Sequence, residues 1–420
     1  MYQRTELPNG LRIVTEYIPY VRSISLGIWF EVGSRDEEDH ERGYSHFIEH
    51  MLFKGTKKYS AKEISEIIDM SGGQLNAFTA KEHTCYYVRV LDEYLEVAAD
   101  ILKEMILESL FLDKELEKER SVIVQEINMY DDSPDDLVHD LLYQLLFPNH
   151  PLGKDILGPK ENILETKRQN LLDYYQKHYT TNNLIIAAAG NVNHQQIIDL
   201  FADAFSKLPS NYLAKRRTSI TTATGVFQTK EKDIEQVHLC LGGQGLARDD
   251  HEKYALFLLD TILGGGASSR LFQELREERG LVYSTYSYHS AYRETGTFGV
   301  YAGYGIDDHE YVLDILVSEI RKLATLELDE AEIERAKSLL RGGFLLSLES
   351  TVNRMMRVAK AEISERRLVE VDETIDAISL VTSEEVFSLA KRLLDLGNWC
   401  GALVGPVPGD VKFKQIIGNN

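Results

Sequence analysis

Cysteine is scarce in this chain. Cys85, Cys240 and Cys400 stand far apart, are odd in number and show no C-x-x-C spacing, so neither a disulfide framework nor a cysteine metal site is indicated, and they read as reduced core residues. Long apolar runs are also missing: none approaches the roughly 18 residues of a membrane-spanning helix, which excludes a membrane span. Basic residues are outnumbered, 46 Lys and Arg against 67 Asp and Glu, for a net charge of −21. That balance argues against nucleic acid as a partner, because phosphate binding needs clustered cations. The stretch from Met1 to Glu6 has neither an apolar signal core nor a long Arg- and Ser-rich presequence. A cytoplasmic, bacterial protein is the expectation.

What is present is enough for a large core. At 420 residues, with 43% hydrophobic and 27% charged, the chain is too long for one comfortable core and reads as two domains. Leu11 to Phe30 alternates around turns as two strands of an antiparallel sheet. Helices are predicted over 61–71, 92–109 and 113–131, a strand over Thr84 to Val90, and another from Leu184 to Ala189, ending at Gly190. A change of composition with loss of helical period puts a linker at 211–234, between domains at 1–210 and 235–420.

The first domain contains Gly43-Tyr44-Ser45-His46-Phe47-Ile48-Glu49-His50-Met51-Leu52-Phe53-Lys54-Gly55-Thr56. His46 and His50 are four apart, so on a helix both imidazoles leave one face a turn apart, the spacing that two ligands of one metal ion need. Glu49 stands beside them, and Phe47, Ile48, Met51 and Leu52 occupy the rest of the circumference. The helix should be buried on most sides, its polar stripe facing a cavity. H-x-x-E-H is the zinc-hydrolase pattern in reverse order, with two neutral imidazoles as ligands and the carboxylate as base rather than ligand. A core helix with hydrogen-bonded histidines is the competing reading, and it suits a lone histidine better than this triplet.

The second half repeats the first weakly, at an offset of about 211 to 217 residues. His40-Glu41 matches His251-Glu252, Leu91-Asp92-Glu93-Tyr94 resembles Asp308-His309-Glu310-Tyr311, and Asn183 to Gly190 resembles Asn398 to Gly405. The fold class predicted is therefore α+β, two homologous domains from an internal duplication, each a mostly antiparallel sheet packed with helices. Phe257 replaces His46 and Thr261 replaces His50, so only the first half can hold the metal, one ion per chain.

A catalytic zinc takes a third protein ligand. Glu119 and Glu126, seven apart on the helix from Asp113 to Ile127, share one face, and Val122, Ile123 and Ile127 are expected to pin that helix into the core. Composition does not choose between the two glutamates.

These residues resemble the pitrilysin/insulinase metallopeptidases, in particular the bacterial, mitochondrial-processing-peptidase-like subfamily, and the match extends over the whole chain and its duplication. The resemblance implies Zn²⁺ on His46, His50 and Glu126, Glu49 as base, and Glu119 orienting a ligand. It further implies that Asn76-Ala77-Phe78-Thr79 is an exposed edge strand to which an extended peptide adds. From Leu275-Arg276-Glu277-Glu278-Arg279-Gly280-Leu281-Val282-Tyr283, Arg276 and Tyr283 would serve the active site from the second half. Gly264-Gly265-Gly266 lacks G-K-[ST] and reads as a turn rather than a phosphate loop. Relatives enclose substrates in a chamber of four such domains, so a homodimer is expected. The function expected is zinc-dependent endopeptidase action on peptides or unfolded segments. The competing class is a non-proteolytic structural or assembly homologue of the same fold, which would have lost H-x-x-E-H; a third is a zinc hydrolase of something other than peptides.

Overall fold

The computed structural model describes residues 1–210, 220, 222–326 and 328–407. In the first half, β1 (Tyr2–Glu6), β2 (Arg12–Tyr17), β3 (Ser23–Phe30), β4 (Gln74–Thr79), β5 (Thr84–Leu91) and β6 (Leu184–Gly190) form one sheet in the order β1-β2-β6-β3-β5-β4. Every neighbouring pair is antiparallel except β2 with β6. The two strands read between Leu11 and Phe30 share this sheet without touching each other, because β6 lies between them. Leu184-Ile185-Ile186-Ala187-Ala188-Ala189-Gly190 is buried throughout, and a strand apolar on both faces belongs in the middle of a covered sheet.

The helices of this half are α1 (Tyr44–Leu52), α2 (Ala61–Met70), α3 (Leu95–Leu107), α4 (Asp113–Asp132), α5 (Pro134–Leu146), α6 (Lys160–Glu165), α7 (Arg168–His178) and α8 (His194–Phe205). The second half has β7 (Phe227–Glu231), β8 (Gln236–Gly245), β9 (Val282–Ala291), β10 (Gly296–Gly305) and β11 (Cys400–Gly405). Its helices are α9 (Lys253–Leu263), α10 (His309–Thr325), α11 (Glu330–Ser347), α12 (Thr351–Ser364), α13 (Val371–Leu380) and α14 (Ser383–Leu393). The second sheet runs β7-β11-β8-β10-β9, with only β7 and β11 parallel. Strand for strand this is β2-β6-β3-β5-β4 again, with the parallel pair in the same place. The fold is α+β, built from two homologous domains. No helix among the described residues is long and apolar enough to cross a membrane.

The compact units are not contiguous halves of the sequence. One takes Met1–Asn128, Asp155–Arg216 and Leu346–Leu368, the other Met129–Lys154, Arg217–Leu345 and Val369–Asn420, in each case as far as the residues are described. Thus α12 belongs to the first unit, and α5 to the second. Within the first, α1, α3 and α8 cover one face of the sheet and α12 the other. Gly27 permits that approach, since a Cβ there would come within 2.8 Å of the Met355 sulfur. Of the linker expected at 211–234, residues 211–219 and 221 lie outside the described residues, and Phe227–Glu231 is β7. Its polar sequence hides a strand whose backbone is paired on one side by β11.

Candidate active site

Helix α1 starts on Gly43, whose φ of 93° favours glycine and whose missing Cβ would sit 2.4 Å from the Leu157 carbonyl oxygen. The backbone N–H groups of Gly43 and Ser45 donate to the buried Glu37 carboxyl at 2.9 and 2.8 Å, which satisfies two donors at the helix N-terminus. Burial pushes that carboxyl up to about 8, against the pull of the two N–H donors. Phe47, Ile48, Met51 and Leu52 are fully buried, so the remaining face carries His46, Glu49 and His50.

Helix α4 supplies the other side. Leu116, Glu119 and Ile123 form its buried stripe, while Val122, expected in the core, is 45% exposed: the stripe runs through residues 116, 119, 123 and 126, and Val122 falls off it. Ile127 packs partly buried against the core. Glu126 Oε2 lies 3.7 Å from His46 Nε2 and 3.6 Å from His50 Nε2, and ligand atoms of all three residues lie within 4.8 Å of one another. Glu119 lies behind His50. Its Oε2 accepts from His50 Nδ1 at 3.1 Å and its Oε1 from Lys54 Nζ at 2.8 Å. Glu126 thus stands beside both imidazoles and Glu119 behind one of them.

The donor set suits zinc. Two imidazoles and a carboxylate converge, and burial, with the His50 ring alongside, pushes His46 down to about 3, so its ring is neutral with a lone pair to give. His46 Nδ1 is buried without a hydrogen-bond partner among the described residues, while Nε2 is the ring atom that faces Glu126. Burial raises the Glu49 carboxyl, and the Thr79 hydroxyl, donating to Oε2, pulls it back. Burial raises Glu126 too, against the nearby His50. Glu119 differs: burial pushes it up, but the bonds from His50 and Lys54 outweigh this and hold it below the usual carboxylate range.

A cleft of 960 Å³ opens on this face, lined among others by Glu49, His50, Lys54, Ile64, Asn76 and Glu119. Strand β4 stands at the sheet edge, paired among the described residues with β5 alone. Its four expected substrate-binding residues have different surroundings. Asn76 and Ala77 line the cleft, Phe78 packs edge-on to Trp29 at 5.5 Å, and Thr79 holds Glu49. In the second unit the Arg276 Nη1 donates to the Tyr283 carbonyl at 2.6 Å and its guanidinium lies 5.4 Å from the Tyr283 ring, which is part of a side chain 75% exposed. The two residues seven apart are neighbours. On α9, Asp260, the counterpart of Glu49, is taken up by Ser287 and His289, and Phe257 lies against the His289 ring. Sequence reading missed the roles of Lys54 and Thr79 in bonding Glu119 and Glu49; Lys54 lies inside the motif, but its partner is far off in the chain.

The family model for "Insulinase (Peptidase family M16)" matches residues 12–160, and that for "Peptidase M16 inactive domain" matches 166–340. The chain is 43% identical to an uncharacterized zinc protease of Streptomyces coelicolor, over 93% of this chain and 87% of the other. It is 40% identical to the uncharacterized zinc protease YmxG of Bacillus subtilis, over 97% and 98%. Among solved structures, a protease from Helicobacter pylori superposes with a TM-score of 0.89 at 22% identity, covering 97% of this chain and 99% of that one. A peptidase M16 inactive domain from Pseudomonas fluorescens superposes at 0.91 with 20% identity, covering 98% and 99%. With His46, His50 and Glu126 converging in its first half, and relatives of this similarity along nearly its whole length, the chain belongs to the insulinase family of peptidases, family M16.

Proposed function

We propose that this protein is a zinc-dependent endopeptidase that cleaves peptides or unfolded segments, with one Zn²⁺ per chain on His46, His50 and Glu126. The observation that carries this reading is the convergence of those three residues beside Glu49, on a cleft bordered by the open edge of β4. An extended peptide adds to β4 by main-chain hydrogen bonds, with Asn76 and Ala77 at the cleft, and so lays its scissile bond along α1. Bound zinc supplies the Lewis acidity for attack on a carbonyl. Glu49 takes a proton from the attacking water and returns it to the leaving amine, which the partly desolvated carboxylate suits. Thr79 fixes the Glu49 carboxylate, and Glu119 fixes the His50 ring through Nδ1. Arg276 and Tyr283 hold substrate and the developing oxyanion.

The working unit is a cytoplasmic homodimer whose four domains enclose the substrate, and folded proteins are excluded from such a chamber. A purely structural or assembly role is disfavoured by the retention of His46, Glu49, His50 and Glu126 together. The deciding experiment measures zinc content by elemental analysis and cleavage of a quenched peptide library. Stoichiometric zinc with cleavage that stops on chelation supports the proposal. Zinc without cleavage of any peptide overturns it in favour of another hydrolase, and a metal-free, inactive chain in favour of the assembly role.

A further inference from the structure

We infer that Lys54 is a positioning residue of the metal centre, acting through Glu119 on His50; the inference rests on the metallopeptidase reading above and extends it. Lys54 lies two residues beyond the end of α1, where its own N–H donates to the Met51 carbonyl at 3.1 Å and Gly55, with a φ of 107°, turns the chain away. Its side chain, 30% exposed, runs back along the helix to place Nζ 2.8 Å from Glu119 Oε1. The other oxygen of that carboxylate accepts from His50 Nδ1 at 3.1 Å, and His50 Nε2 lies 3.6 Å from Glu126 Oε2.

Glu119 is 5% exposed. A carboxylate so far out of water needs compensation on both oxygens, and one His N–H supplies only half of it. Lys54 supplies the other half and fixes the plane of the carboxylate. With that plane fixed, Nδ1 of His50 carries the proton, and the Nε2 lone pair points at the place where Glu126 and His46 converge. Without Lys54 the carboxylate is free to rotate toward solvent, and the ring orientation goes with it.

The internal duplication offers an independent argument. In the alignment that sets Phe257 and Thr261 against His46 and His50, Gly265 stands for Lys54, and the later offset sets Ala336 against Glu119 and Gly343 against Glu126. The copy without metal ligands lacks the lysine and its glutamate as well. A lysine kept for solubility or for the end of the helix would have no reason to disappear with the metal site.

The test compares Lys54→Met, Lys54→Arg, Glu119→Gln and the double variant Lys54→Met/Glu119→Gln, each as full-length protein. Zinc affinity is read by competition with a chromophoric chelator, and the visible spectrum is recorded after substitution with Co²⁺. Lys54→Met should weaken zinc binding about 10-fold and shift the Co²⁺ bands, as losses of such outer partners do. Lys54→Arg should stay within about 3-fold of wild type, and the double variant should bind no worse than Glu119→Gln, because the two residues act in one chain of contacts. Wild-type affinity in Lys54→Met, equal loss in Lys54→Arg, or additive losses in the double variant would overturn the inference. Should Lys54→Met fail to fold, the Lys54→Arg result and Lys54→Gln, which keeps a donor without the charge, decide it in the same way. A wild-type chain that takes up no zinc overturns the metallopeptidase reading itself, whereas one that binds zinc but cleaves no peptide leaves the Lys54 comparison fully readable.

Discussion

At the scale of residues, three carboxylates near one site have three different surroundings, which suit the three roles proposed for them. Glu126 faces both imidazoles, Glu119 is spoken for by His50 and Lys54, and Glu49 meets only Thr79 and the cleft. Glu126→Gln should therefore be metal-poor on elemental analysis, while Glu119→Gln loses less zinc; equal retention in the two would remove Glu126 from the ligand set. Glu49→Gln keeps the shape of the side chain and cannot accept a proton. It should hold zinc at the wild-type level with kcat lowered by about 10²–10⁴. Appreciable turnover in that variant would mean that another group is the base. The H-x-x-E-H residues were legible in the sequence because one helical turn relates them. Lys54 to Glu119 and Thr79 to Glu49 were not, since contacts between distant segments leave no periodicity to read.

At the scale of elements, the exchanged helix α12 is anchored by charge as well as by apolar contacts. Glu362 is fully buried and accepts from Arg4 Nε at 2.8 Å, with Arg12, itself buried, 3.7 Å away. Arg354, on the same helix, donates to Glu16 of β2 at 2.7 Å. Glu362→Ala leaves a buried guanidinium short of a partner, and the cost should fall near the lower end of the range for broken buried pairs, about 3 kcal/mol, because Arg12 keeps Glu31. Chemical denaturation measures it, and a loss below about 1 kcal/mol would mean that apolar packing alone holds α12. Helix α4 was legible from its length and pattern and β6 from its apolar run. The strand β7 was not, since Phe227-Gln228-Thr229-Lys230-Glu231 is ordered by its partner β11 rather than by its own composition.

At the scale of the whole molecule, a homodimer in which Arg276 and Tyr283 serve the zinc site of the other protomer makes its own prediction. A protomer with Glu49→Gln keeps an intact second half, and one with Tyr283→Phe keeps an intact metal site. Each homodimer is impaired at both sites. Mixed under exchanging conditions, the two should form heterodimers that regain activity, up to about half per heterodimer if the sites are independent. No recovery, with subunit exchange verified by mass, would put the pair in the same chain as the zinc it serves or outside the reaction.

The sequence alone determined the face of α1 that carries His46, Glu49 and His50, the duplication, and the replacement of both histidines in the second copy. All three are written in spacings along one helix or in the comparison of two stretches, and local periodicity survives whatever the chain does elsewhere. Only the tertiary structure decided that Glu126 rather than Glu119 stands beside both imidazoles, that β6 separates β2 from β3, and that α5 and α12 each complete a unit built mostly from the other half of the chain. Those outcomes turn on which distant surfaces meet. Two glutamates seven residues apart on one helical face are equivalent until a second helix sets one of them beside both of its imidazoles and the other behind one of them, and a buried strand finds its neighbours only when the rest of the sheet is in place.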